Sequence, residues 1–112
     1  MVTISNDERL DRIFTGLADP TRRAILARLM RGEATVGELA EPFNMTRPAI
    51  SKHLNVLERA GLVHRKPDGR VNRCQFDGKA MRTANSWMKL YGRYWEKQLD
   101  ALARYLEKEE EQ

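Results

Sequence analysis

"MTRPAISKHLNVLERAGL", residues 45–62, sets an apolar seam of Ile50, Leu54, Leu57 and Leu62 against an outer face of Ser51, Lys52, Asn55 and Arg59. Thr46, Arg47 and Pro48 lead into it. Thr46 is a helix N-cap, Pro48 falls in the first turn where a missing N–H costs nothing, and Gly61 supplies a left-handed stop. At about 100° per residue the seam turns one side of this helix inward and leaves Ser51, Lys52 and Asn55 outward. That outer face mixes positive charge with short side chains that both donate and accept hydrogen bonds. It suits a polyanion with readable edges.

The stretch just before it, "TVGELAEPFN" (residues 35–44), begins with a capping box, Thr35 with Glu38 three residues on. Pro42 removes a backbone donor and is expected to end or kink that helix. Two helices, 35–43 and 46–60, are thus joined by a turn of a few residues, the helix-turn-helix plan whose second helix enters a major groove. Next comes "LVHRKPDGRVNRCQF" (62–76), two strand-like runs at 62–66 and 71–76 about the turn Pro67-Asp68-Gly69-Arg70. Arg65, Lys66, Arg70 and Arg73 face a lone acid, Asp68. A basic hairpin placed there is a wing that touches phosphate or the minor groove.

In "ADPTRRAILARLMRGEA" (18–34), Asp19 is the N-cap, Pro20 the first helical residue and Gly32 the stop. Arg22 and Arg23 either touch DNA backbone or pair with acids such as Glu38 or Glu58. A short helix at 6–16 uses Leu10, Ile13, Phe14 and Leu17. From 77 a long helix repeats Ala84, Met88, Tyr91, Trp95, Leu99, Leu102 and Leu106 at three- and four-residue spacing, widened by Trp87 and Tyr94. Gly92 weakens that helix unless it permits a close backbone approach. So much aromatic surface calls for a second copy; an internal core helix is the alternative. The acidic end, "EKEEEQ", is expected to be solvated and away from a duplex.

The run "LADPTRRAILARLMRGEATVGELAEPFNMTRPAISKHLNVLERAGLV" resembles the winged-helix core of the ArsR (arsenic-repressor-like) regulators, with "DPTRRAIL", "PAISKHL" and "LERAGLV" in family order. The resemblance reaches from residue 17 to 106. It implies a mainly α fold with a small β-hairpin, a winged helix-turn-helix, and a homodimer paired through its first and last helices. It also implies a repressor that holds double-stranded DNA at an operator and leaves it when a ligand binds. One domain, 1–112, then has a core at 17–76, a helix-turn-helix at 35–60, a wing at 62–76 and dimerisation helices at 6–16 and 77–107. The expected DNA contacts are Thr46, Arg47, Pro48, Ser51, Lys52, His53, Asn55, Arg65, Lys66, Arg70 and Arg73, with Arg47 and Ser51 nearest to base edges. His53, beside the seam, either packs at a helix–helix border or touches phosphate. The expected interface is Leu10, Ile13, Phe14, Trp87, Met88, Tyr91, Tyr94, Trp95, Leu99 and Leu102.

Metal-sensing relatives carry paired cysteines on the helix before the turn, or Asp, His and Glu along the last helix. Here "TVGELAE" has no cysteine and "YWEKQLDALARYLE" no histidine, so no metal and no cofactor are expected. Cys74, the single cysteine, fits a reducing cytoplasm and a small buried filler; redox sensing through it is an alternative. No nucleophile elbow, phosphate loop or cofactor fingerprint points to an enzyme. Charged residues make up 32% and the net charge is +4, which permits a polyanionic partner. No apolar run approaches the roughly 18 residues of a membrane span, and "MVTISNDERLDRIF" lacks a signal-peptide plan, so a cytoplasmic protein is expected. A winged helix that meets an acidic protein instead of DNA is the reading from another class.

Overall fold

The computed structural model describes residues 5–110; residues 1–4, the start of "MVTISNDERLDRIF", and residues 111 and 112 of the acidic end lie outside it. Nine elements follow in order: α1 (Asn6–Leu17), α2 (Pro20–Met30), β1 (Ala34–Thr35), α3 (Val36–Ala40), a 3-10 turn (Glu41–Phe43), α4 (Arg47–Arg59), β2 (Val63–Asp68), β3 (Val71–Phe76) and α5 (Gly78–Glu110). The protein is mainly α with a small antiparallel sheet.

Local chemistry sets the helix starts. Asp19 accepts from the Arg22 amide at 3.0 Å with Pro20 next in line, and that amide holds the Asp19 carboxyl below its ordinary range. Thr35 and Glu38 close a reciprocal capping box, and Thr46 Oγ1 accepts from the Ala49 amide at 3.2 Å. Pro42 ends α3 as expected, drawing residues 41–43 into the 3-10 turn, after which Asn44 turns left-handed (φ 52°) and redirects the chain into α4. At the far end of α4 the Gly61 amide bonds to Glu58 O (2.9 Å) and the Leu62 amide to Leu57 O (3.0 Å). With φ +73° at Gly61 this is a Schellman stop, which needs glycine.

The sheet order is β1-β3-β2, with Ala34 opposite Cys74 and Val63 opposite Phe76. Two features differ from the sequence reading. Pro67 and Asp68 belong to β2, opposite Asn72 and Val71, so the loop is only Gly69-Arg70, with Gly69 at φ +63°. Proline is tolerated because β2 is an edge strand. The two-residue β1 was not anticipated; it exists only by pairing with β3.

Ile25, Leu39, Ile50, Leu54, Leu57, Leu62, Val63 and Cys74 are fully buried and knit α2, α3, α4 and the sheet together. α5 leaves this core. Its 33 residues span about 50 Å at 1.5 Å each, and Ala84 is its one buried residue. The radius of gyration is therefore 19.7 Å, against about 13 Å for a compact domain of this length.

Candidate nucleic-acid interface

α4 presents its outer face because its seam is fully committed: Ile50, Leu54 and Leu57 have no exposure. Thr46, Arg47, Pro48 and Lys52 are exposed, and Ser51 is half-buried. α3 lies across the seam as a brace, and α4 runs on through Leu62 and Val63 into the wing.

The N-terminal end of α4 meets the wing around a pocket of about 230 Å³, lined by Arg47, Ser51, Thr35, Gly37, Arg70 and Asn72 among others. Arg47 folds back over α3: a Cβ added to Gly37 would lie 2.9 Å from Arg47 Nη2. Gly37 is therefore a seat for the guanidinium, a role the sequence reading missed. Among the described residues neither Arg47 nor Arg70 makes an ion pair. Two arginines without an ion pair, one from the helix and one from the wing tip, thus line one pocket with Ser51.

Other expected contacts are placed differently. Arg65 is half-buried; its Nε donates to Glu58 and its Nη2 to Asn55 Oδ1. Asn55 and Arg65 therefore form a strut between α4 and the wing rather than free contacts, because Arg65 stands opposite the inward-facing Cys74. Arg73 Nε donates to Asp68 Oδ2 at 2.6 Å, so the wing's lone acid neutralises it. Lys66 and Arg70 are the wing cations without an ion pair among the described residues. His53 is half-buried against the start of α2, with Nδ1 at 3.5 Å from Arg22 Nη1 and 3.9 Å from Asp19 Oδ2. It is a helix–helix border residue turned from the outer face.

Among the described residues Arg22 and Arg23 make no ion pair with Glu38 or Glu58. Arg22 donates to Gly16 O (3.1 Å) and Thr15 O (2.8 Å), and Arg23 to Leu17 O (2.7 Å). They satisfy the open carbonyls at the end of α1, where the helix dipole also favours a cation. Two arginines one turn into a helix that closely follows another helix's end were the available signal.

Cys74 is fully buried, and desolvation pushes its thiol up from the ordinary range, away from the reactive thiolate. Among the described residues no group of three or more His, Cys, Asp and Glu side chains could hold a metal ion, and no helix is long and apolar enough to cross a membrane.

The long helix shows its apolar face to solvent: Trp87, Met88, Tyr91, Tyr94, Trp95, Leu99 and Leu102 are all 45% exposed or more, as are Tyr105 and Leu106 further on. Phe14 meets Trp87 edge-on at 5.7 Å, and Trp87 stacks on Tyr91 at 5.2 Å, which continues the face onto α1. Ile13 is a correction. It is 3% exposed and belongs to the protomer's own core, while Leu10 and Phe14 are only half-buried.

Residues 17–66 match the helix-turn-helix domain family. The chain is 38% identical over 99 residues to the HTH-type transcriptional regulator Rv2034 of Mycobacterium tuberculosis, covering 88% of this chain and 90% of that one. It is 46% identical over 59 residues to the transcriptional repressor SdpR of Bacillus subtilis, covering 51% of this chain and 66% of the other. The fold superposes on the crystal structure of an ArsR family transcriptional regulator with a TM-score of 0.76 at 42% identity, over 86% of this chain and 97% of that chain.

Proposed function

The chain belongs to the ArsR-type winged helix-turn-helix transcriptional regulators, and we propose that it acts as a homodimeric repressor that reads a palindromic operator and does not respond to metal. The observation that carries this reading is the convergence of Arg47, Arg70 and Ser51 at the junction of recognition helix and wing. A phosphate lodged between two unpaired guanidinium groups fixes the register of the duplex, and the helix then offers Ser51 and Lys52 to base edges. Thr46 caps the first turn, whose remaining amides favour another phosphate. This gives Arg47 a positioning role in place of base reading.

Dimerisation is supported by the apolar face running from Phe14 along α5, which a monomer leaves in water. Two-fold pairing sets two recognition helices about 34 Å apart, in successive major grooves. Metal independence is supported by the lack of a ligand cluster among the described residues. Cys74 is a packing residue on this reading. Because the chemistry is binding, no catalytic residue is assigned. Cytoplasmic residence follows from the role.

The test is competition between operator fragments, selected by the protein from random duplexes, and scrambled DNA. The expected result is a palindromic consensus with preferential retention. Failure to retain any duplex at low salt, together with capture of an acidic protein, would instead identify a protein-binding module. Zinc, arsenite or cadmium should leave operator binding unchanged; release by any of them overturns the metal-independent part.

A further inference from the structure

A second cavity lies beyond the Arg47–Ser51 end of the recognition helix, where the end of α4, the first residues of β2, the middle of α1 and the start of α5 meet. Its volume is about 320 Å³, at the small end of the range for organic ligands. Arg9 and Arg12 reach its wall from α1, Arg59 from the last turn of α4 and Lys79 from the first turn of α5. None of the four makes an ion pair among the described residues. The two acids in the wall are engaged elsewhere. Glu58 accepts from Arg65, and Asp77 pairs with His64 Nε2 at 2.5 Å while accepting the Lys79 amide at 2.9 Å. Those two bonds hold the Asp77 carboxyl below its ordinary range, so it stays ionised and committed. Asp11 lines an adjoining cavity with Arg12 and Arg59 and pairs with neither. Ile13, Ala60 and Ala80 supply apolar wall.

Four cations from three elements converge without a counter-ion of their own, against two acids that other partners hold. The arrangement is electrostatically incomplete. We infer that this cavity binds a small organic dianion, two carboxylates or one phosphate monoester on a compact apolar body, and that it is the effector site. Its position supplies the coupling. The wall includes Gly61, on which α4 stops, and the His64–Asp77 pair that ties the base of the wing to the start of α5; the Asp77 amide also bonds to Leu62 O at 2.9 Å. A dianion drawn between Arg59, Arg12 and Lys79 pulls the end of the recognition helix toward α1 and α5, and so changes its angle to the remainder of the molecule. Arg12 lies on a different side of α1 from Leu10 and Phe14, away from the aromatic face.

The binding half of this inference stands without the DNA reading; the coupling half rests on it. The experiment titrates the full chain with glutarate and, separately, phenyl phosphate, against sodium chloride at matched ionic strength, following backbone amide resonances. Saturable shifts at Arg9, Arg12, Gly61, His64 and Lys79 are expected with at least one probe, and the better probe separates a carboxylate from a phosphate ligand. Arg12→Gln combined with Lys79→Gln should weaken the probe by about tenfold or more with the amide spectrum otherwise native. Operator affinity of the wild type should drop by about tenfold in saturating probe, and that of the double variant should not change. Shifts no larger than those of chloride, or equal shifts in the double variant, overturn the site. Loss of DNA affinity in the double variant without any probe shows that the cavity holds a DNA phosphate, and overturns it too. Probe binding by a protein that retains no duplex leaves the cavity standing and defeats the repressor reading instead.

Discussion

α4 and α5 carry the same kind of apolar stripe and end in opposite circumstances. In α4 the stripe of Ile50, Leu54 and Leu57 is wholly buried by α1, α2, α3 and the sheet. In α5 the stripe from Trp87 to Leu106 is about half exposed throughout, and only the start of the helix, with Ala80, Met81 and the fully buried Ala84, packs on the protomer's core. Periodicity identifies which face of a helix is apolar; it does not say what covers that face. α4 is held by its own chain so that its polar side can be offered outward. α5 has its apolar side outward, and a second copy is the occupant proposed for it.

The largest difference between the two regions should be their response to salt. With about 6 to 10 phosphate contacts from two recognition helices and two wings, operator affinity should fall by roughly 10³ to 10⁵ between 50 and 200 mM salt. Self-association through α5 buries apolar surface and should hold or strengthen over the same range. Electrophoretic retention and sedimentation at both salt concentrations measure the two together. If association fell as steeply as DNA binding, the contact between copies would be ionic and the division of labour would be wrong.

Truncation of the two stripes comes next. Leu54→Ala opens a cavity in a closed core and should cost about 2–5 kcal/mol at every protein concentration. Leu99→Ala removes a side chain that is 59% exposed in the protomer. It should lower the melting temperature only at concentrations where copies associate, by mass action. A concentration-independent loss of similar size for both would place α5 in an internal core.

How much of this was legible follows the same division. Asp19-Pro20, Thr35 with Glu38, Thr46 and Gly61 act within a few residues, so the starts of α2, α3 and α4 and the stop of α4 could be read directly. β1 could not, because Ala34 and Thr35 carry no pattern and become a strand only opposite Cys74 and Arg73. Pro67-Asp68 has turn chemistry, yet an edge strand absorbs it. Among the site residues, charge type was legible but availability was not. Arg65, Arg73 and Asn55 looked alike to Arg70 and Lys52 until partners claimed them: Glu58, Asp68 and Arg65. His53, beside the seam, was legible as a helix–helix border residue.

The junction of α4 with the wing gives a finer test. Arg70→Ala should weaken operator and scrambled duplex alike, by about 1–2 kcal/mol, and flatten the salt slope by about one unit. Arg47→Ala should do the same, since its guanidinium is folded back over Gly37. Ser51→Ala should relax preference at one position per half-site, costing about 1–3 kcal/mol on the operator alone. Gly37→Ala adds a methyl against a flexible side-chain end, so the fold should hold while DNA affinity falls toward that of Arg47→Ala. Loss confined to the operator in Arg47→Ala would return Arg47 to base reading.

The smallest effect sits at Gly92, one turn from Met88 and beside the exposed stripe of α5. Within the protomer nothing lies within 4 Å of where its Cβ would be, and its backbone is helical. A glycine there lowers helix stability without any steric need, so Gly92→Ala should raise stability by about 0.5–1 kcal/mol. The proposed second copy adds one condition. If the partner's side chains meet across the middle of the stripe, at Tyr91, Trp95 and Leu99, Gly92 lies toward its edge and the dissociation constant should be unchanged. Thermal denaturation and sedimentation of the same sample read both quantities. A more stable helix with association weakened about tenfold would mean that the partner's backbone approaches at Gly92 itself, shifting the seam away from the aromatic centre.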